Sequence, residues 1–235
     1  MPQTKSQIDR LGERLKAGGF SNDDLMALDD FRMSFATAYE SVLRTVQGEL
    51  HLEPTGRSAK STSSIIEKLR RESIRLTQMQ DIAGCRIILL NRKEQDALVE
   101  QLRRIFTMSS VVDRRRAPSH GYRAVHVVPM IAGKAVEIQV RTRFQHLWAE
   151  LSERLSDVVD PGLKYGAGPE EHREFLMTVA SRLAVFEEAE LEILYVLRDL
   201  NAIESETADR QVASVRQRLD EQLRGYFEAY IVDEE

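Results

Sequence analysis

Over residues 5–47 the apolar positions recur three and four apart, the spacing that lines one face of an α-helix. Lys5 to Lys16 reads as a first helix, stopped by Gly18-Gly19. Ser21 or Asn22 can cap a second that runs to about Gln47, with Leu25, Leu28, Phe31, Phe35 and Tyr39 on its stripe. Glu49 to Gly56, with Pro54, reads as a loop, and Ser61 to Glu72 as a helix carrying Ile65, Ile66 and Leu69. The pattern then changes. Asp81 to Leu90 is a short apolar, β-branched run that predicts a strand. Lys93 to Phe106 follows as a helix with Leu98, Leu102 and Ile105 inward, then Met108 to Asp113 as a strand. Arg114 to Gly121 is a basic loop, and Tyr122–Ile131 and Lys134–Arg141 form a hairpin through Ala132-Gly133. From Arg143 onward the pattern is helical. It is interrupted at about Asp160 to Gly168 and resumes over Pro169–Ile203 and Asp209–Tyr230. Helices, a small mixed β-sheet of about four to five strands with one crossover helix, and helices again make an α+β chain.

Composition narrows the class. Apolar residues make up 42% and charged residues 30% of the 235, an ordinary globular mix. No window is long and apolar enough for a membrane span, and Met1 to Lys16 lacks an apolar signal core. Cys85 is the single cysteine, so neither an intrachain disulfide nor a Cys-based zinc site can form, which suits a cytoplasmic protein. Charge is uneven: Arg57 to Arg143 carries a net +10, and residues 151–235 a net −11. A basic middle between more acidic flanks reads as a polyanion site on a soluble scaffold.

The hairpin concentrates the candidate chemistry. Side chains alternate faces along a strand. One face therefore collects Tyr122, Ala124, His126, Val128 and Met130 with Ala135, Glu137, Gln139 and Arg141. An Ile131–Lys134 turn pair would set Gln139 opposite His126 and Glu137 opposite Val128. Such a face can stack a base, hold a carboxylate near a hydroxyl and bind phosphate. The same alternation also fits a half-solvated strand whose polar residues face water. Asp81, at the start of an apolar strand, can form a turn or, with Glu137, hold magnesium beside phosphate. Lys60, Ser64 and Lys68 recur every four residues on one helix face, which fits a polyphosphate grip or simply an exposed cationic face. Neither a GxxxxGK[ST] loop nor a GxGxxG fingerprint occurs.

At these positions the chain resembles the RelA/SpoT-type alarmone synthetase family. The likeness rests on Ser64-Ile-Ile-Glu-Lys68, Asp81-Ile-Ala-Gly-Cys-Arg86, Gly121-Tyr-Arg-Ala-Val-His126 and Glu137-Ile-Gln-Val-Arg-Thr142, followed by His146 and Ala149-Glu150. Their order and spacing, 13 residues from Lys68 to Asp81 and 15 from Tyr122 to Glu137, make the set specific. The resemblance implies a nucleotidyltransferase-like synthetase core over 56–158, with helical extensions at 1–55 and 159–235. It implies an ATP-dependent pyrophosphokinase of GTP pyrophosphokinase type, acting in stringent-response signalling. The β,γ-pyrophosphate of ATP would pass to the 3′-hydroxyl of GDP or GTP to make (p)ppGpp. Asp81 and Glu137 would bind Mg2+, Glu137 lying near the attacking hydroxyl. Arg57 and Arg86 would sandwich adenine, and Lys60, Ser64 and Lys68 would grip the ATP phosphates. Tyr122 would stack on the acceptor base. His126, Gln139, Arg141 and His146 would position acceptor and phosphates, beside the basic loop Arg114, Arg115 and Arg116. None of the five histidines is followed by Asp, so hydrolase activity is not expected.

Two alternatives accompany this reading. One is a toxic member of the superfamily that pyrophosphorylates the 3′ end of tRNA, with an antitoxin partner. The other is an inactive nucleotide-binding or oligomerisation module. Phe186, Leu191, Ile193, Leu194, Tyr195 and Leu197 exceed what one buried stripe needs and suggest a homo-oligomer, a tetramer as in the small synthetases.

Overall fold

The structure, a computed structural model, describes residues 3–199, 210, 212–218, 220–222, 224 and 225, with side chains through Glu192 and at the later described positions. Helix α1, Lys5–Ala17, opens on a capping box in which Thr4 and Gln7 satisfy each other's backbone N–H groups. The single helix expected from Asn22 to Gln47 is instead two, α2 (Asn22–Met33) and α3 (Ala36–Leu50). The break has a local and a distant cause. The Ser34 hydroxyl donates to the Phe31 carbonyl at 2.5 Å and so competes with the helical ladder. Lys134, from the distant hairpin, donates to Ser34 Oγ at 2.7 Å, and its ammonium stands 4.5 Å from the Phe35 ring centre.

The segment read as a loop up to Gly56 ends in a strand, β1 (Thr55–Arg57). Helix α4, Thr62–Arg71, is capped by Ser61, and a short 3-10 turn follows at Leu76–Gln78. Strand β2 is Ala83–Leu89, so Asp81 sits in the turn before it rather than on it. Helix α5 is Arg92–Ile105, β3 is Ser109–Asp113, β4 is Val125–Ile131 and β5 is Lys134–Thr142. The first hairpin strand starts at Val125, not Tyr122, which instead forms an isolated bridge with Ser119. Ala132 and Gly133 both have positive φ, the conformation of a two-residue hairpin turn. Helix α6 is Arg143–Val158, a second 3-10 turn is Leu163–Tyr165, and α7 is Glu170–Asp199.

The five strands form one mixed sheet in the order β1-β2-β5-β4-β3, flanked by helices. β1 pairs antiparallel with β2, setting Thr55 opposite Arg86 and Arg57 opposite Gly84. The chain divides into two compact units. The first holds the chain up to Ile87, Glu100–Val112 and His126–Val140. In it α1 packs on α4 and on the 3-10 turn, and Ile65, Leu69, Leu76, Ile82, Val136 and Ile138 are buried. The second holds Ile88–Val99, Asp113–Val125 and the chain from Arg141. Its core is the apolar stripe of α6, Phe144, Leu147, Trp148, Leu151 and Leu155, closed by Leu176, Ala180 and Leu183 of α7.

Among the described residues no helix is long and apolar enough to cross a membrane. Of the residues read as a self-association surface, Phe186 is half-buried edge-on against Phe144, and Leu191 is half-buried. The side chains of Ile193, Leu194, Tyr195 and Leu197 lie outside the described ones, as do Ile203, Asp209 and Tyr230 of the helices expected there.

Candidate functional site

In the first unit, β4 and β5 bring His126, Glu137 and Gln139 together. Nδ1 of His126 lies 2.9 Å from Oε1 of Glu137, and Gln139 Nε2 donates to Oε2 at 2.7 Å. His126 and Glu137 are each about one-seventh exposed, so the pair is shielded yet reachable. Burial pushes the Glu137 carboxyl up. The hydrogen bond and charge of His126, with the Gln139 amide, outweigh that push and hold the carboxyl below the usual carboxylate range, against the nearby charge of Asp81. Close approach of β2 depends on Gly84, where a Cβ would stand 2.7 Å from the Glu137 carbonyl oxygen.

Asp81 is the focus of a second cluster. Lys60 Nζ donates to one of its carboxylate oxygens at 2.7 Å and Lys68 Nζ to the other at 3.0 Å. Burial again raises this carboxyl, but the two ammonium groups dominate and hold it below its ordinary range. Ser61 caps α4 and its hydroxyl donates to Ser64 Oγ at 2.8 Å, so Ser64 stands one turn from Lys60 and Lys68. The turn carrying Asp81 is tied down from upstream. Asp9 of α1 accepts from the Thr77 amide at 3.1 Å and from its hydroxyl at 2.7 Å.

Arg57 is exposed on β1 and Arg86 half-buried on β2. The register places them on one face as diagonal neighbours, roughly 7–8 Å apart in such a ladder. That is about two stacking distances, the room a planar base needs between two guanidinium groups.

Among the described residues no group of three or more His, Cys, Asp and Glu side chains has metal-ligand placement. Asp81 and Glu137 nevertheless suit a hard cation that takes one or two carboxylates and completes its shell with water and substrate phosphate. Both carboxyls are held below their ordinary range, and Glu137 feels the charge of Asp81.

In the second unit, Arg141 is buried, with its guanidinium 5.0 Å from the Tyr122 ring centre and donating to the Tyr122 hydroxyl at 3.1 Å. His146, on α6, has Nε2 3.4 Å from Glu150. The three arginines of the basic loop separate. Arg115 is committed inside the protein, reaching Asp113 at 2.8 Å, Asp96 at 2.6 Å and Gln95 at 3.0 Å. Burial lowers its basicity, but these carboxylates more than compensate and raise it overall. Arg116 projects into solvent, 3.7 Å from Asp113. Arg114 is exposed and lines a cavity of about 650 Å³.

Three features escape a reading of the sequence. The lysines expected on ATP phosphates hold Asp81. Asp9 supports the turn that carries Asp81. Arg173 of α7 lines the same cavity as Arg114. The first two pair residues far apart in the chain and leave no periodic trace.

Residues 56–156 match the family model described as the region found in RelA / SpoT proteins. The uncharacterized protein Rv1366 of Mycobacterium tuberculosis is 34% identical over 180 residues, covering 72% of this chain and 65% of that protein. The chain thus spans about two thirds of the length of the curated relatives it matches. The small alarmone synthetase 1 of Bacillus subtilis, solved bound to its product pppGpp, is 29% identical with a TM-score of 0.56, over 70% of this chain and 95% of that one. Its structure bound to AMPCPP aligns at 27% identity and a TM-score of 0.52, over 73% and 97%. With the sheet order, the motif set and these likenesses together, residues 56–156 carry the region found in RelA / SpoT proteins, on a fold shared with the small alarmone synthetases.

Proposed function

We propose that the chain is an ATP-dependent pyrophosphokinase that moves the β,γ-pyrophosphate of ATP to the 3′-hydroxyl of GDP or GTP. The observation that carries this reading is the Glu137 carboxylate, fixed by His126 and Gln139, ionised, and within electrostatic reach of Asp81. The acceptor 3′-oxygen attacks the β-phosphorus, the bond from that phosphorus to the α,β-bridging oxygen breaks, and AMP leaves. The hydroxyl proton passes to Glu137. A carboxyl held below its usual range is a weak base, so its main contribution is to accept the hydroxyl's hydrogen bond and orient the oxygen. Asp81 and Glu137 would hold a magnesium ion, which when bound neutralises charge on the transferring phosphates. Lys60 and Lys68 then pass from Asp81 to the β- and γ-phosphates, with Ser64 beside them. Arg57 and Arg86 flank the adenine from one sheet face. Tyr122, backed by Arg141, has a ring suited to stacking on a base. The ligands bound in the Bacillus subtilis synthetase structures, pppGpp and AMPCPP, support a guanine acceptor and an adenine donor.

Incubation with γ-labelled ATP, magnesium and GDP, GTP or deacylated tRNA tests the reading. Label in a guanine nucleotide with release of AMP is expected. Glu137→Gln and Asp81→Asn are each expected to slow transfer by about 100-fold or more, with unchanged circular dichroism. Label confined to RNA, or transfer at the wild-type rate in both variants, overturns it.

A further inference from the structure

Behind Arg141 and Tyr122, and within the second unit, runs a chain of buried polar side chains that the proposed reaction leaves unused. Thr142, Gln145, Gln95 and Glu187 are each at most 4% exposed. Thr142 caps α6. Its hydroxyl oxygen accepts from the Gln145 backbone N–H at 3.2 Å, and its hydroxyl proton is donated to the Glu187 carboxylate. The side-chain amide of Gln145 donates to both Glu187 oxygens, at 3.2 and 3.4 Å. Its carbonyl oxygen accepts from Gln95 Nε2 at 2.8 Å. The Gln95 oxygen accepts in turn from Arg115 of the basic loop at 3.0 Å. One carboxylate of α7 thus ends a relay that passes through α6 and α5 to that loop.

A carboxylate among neutral donors is a costly group to bury. Burial raises the Glu187 pKa, and Thr142, Gln145 and the charges of Arg92 and Arg123 reverse only part of the rise. The donors explain why a carboxylate suits the place. An ionised carboxylate only accepts, so it can take the Thr142 proton at one oxygen and the Gln145 amide at both. A side-chain amide there would turn an NH2 towards one of those donors. Thr142 and Gln145 are each left with one arrangement. Arg141 immediately precedes this cap and donates to the Tyr122 hydroxyl at 3.1 Å, and Tyr122 packs on the α6–α7 core. A shift of the cap therefore moves both.

We infer that Glu187 is a positioning residue for acceptor binding: its buried carboxylate locks the Thr142–Gln145 cap and so holds Arg141 and Tyr122 in place for a guanine nucleotide. Glu187 acts through Thr142 and Gln145, from α7, outside the matched segment 56–156. The relay rests on the hydrogen bonds alone. The guanine nucleotide it serves rests on the transfer reading above.

The test is equilibrium titration of the full chain with GTP, beside KM values from the labelled-ATP assay. Glu187→Leu leaves Thr142 and Gln145 without their acceptor. It is expected to weaken GTP binding and raise the KM for GTP about tenfold, with the KM for ATP changed less than about twofold. A loss of folded chain alone would lower kcat and leave both KM values where they were. Glu187→Gln keeps one acceptor oxygen and is expected to recover part of the loss. In a Tyr122→Ala background Glu187→Leu is expected to cost less than about twofold further, because its route is already removed. Glu190→Gln, which breaks the buried pair with Arg216 on the same helix, is the stability control. It is expected to lower the unfolding temperature without moving the KM for GTP. Unchanged GTP affinity in folded Glu187→Leu or Glu187→Gln overturns the role, as does a full loss on top of Tyr122→Ala. A chain that transfers with an unmoved KM for GTP in these variants loses only this role. A chain that binds GTP in a Glu187-dependent way but never transfers loses only the proposed activity, and one that neither binds GTP nor transfers loses both.

Discussion

His126 and Glu137 form a contact of 2.9 Å across the β4–β5 hairpin, and against the upward push of burial the imidazole helps to hold the carboxyl below its ordinary range. His126→Gln removes the charge but can keep a hydrogen bond. Burial then acts with less opposition, and the Glu137 pKa rises. Transfer is expected to fall about tenfold, with the acid limb of its pH–rate profile moved to higher pH. Initial rates across acid and neutral pH check this, and an unmoved limb would show that His126 does not tune Glu137.

The lysine clamp on Asp81 predicts coupled effects on stability and donor binding. Lys60→Met or Lys68→Met leaves a largely buried carboxylate with one partner. Each is expected to cost about 1 kcal/mol, less than in a fully buried pair because Asp81 is 20% exposed. Each is also expected to raise the KM for ATP more than it lowers kcat. The pH dependence follows from the lowered carboxyls. The stabilisation from Asp81 and Glu137 is complete above the ordinary carboxylate range and is lost as pH falls through their depressed folded values. Denaturant titrations at neutral and acid pH measure it, and the lysine variants should show a weaker acid dependence.

Asp9 accepts two hydrogen bonds from Thr77, 68 residues away, just ahead of the turn that carries Asp81. Asp9→Ala is expected to destabilise the chain by about 1–2 kcal/mol. It is also expected to slow transfer although Asp9 touches neither proposed substrate. Asp9→Asn, which keeps an acceptor oxygen, should recover most of both losses. Equal losses in both variants would point to charge rather than to the tether.

Cys85 is buried on β2, and burial, with the charge of Glu137, pushes its thiol up to about 12. A disulfide-exchange reagent at neutral pH is expected to leave the native chain unmodified and to titrate one thiol after denaturation. Rapid reaction of the folded chain would contradict the packing around β2.

Much of this fold is written in local periodicity. The change of spacing after Glu72, the hairpin turn at Ala132-Gly133 and the helical runs after Arg143 are each set by neighbours in the chain. The Asp81–Arg86 and Glu137–Thr142 motifs are legible in the sequence as candidate site segments. The boundaries that failed were set by distant partners. The single helix from Asn22 to Gln47 breaks at Ser34, where Lys134 arrives from 100 residues away to sit on the Phe35 ring.

The sequence by itself determined most of the helices and strands, though not β1 or the break at Ser34, and which residue types stand near the candidate site, because backbone period and side-chain chemistry are properties of short stretches. Only the tertiary structure decided how those residues pair. Lys60 and Lys68 converge on Asp81, Arg115 turns inward to Asp96 and Asp113, and Arg173 is left beside Arg114 without a carboxylate. An ion pair forms where burial brings two groups together and removes the water that would otherwise screen them. Which groups meet in this way depends on the packing of the whole chain.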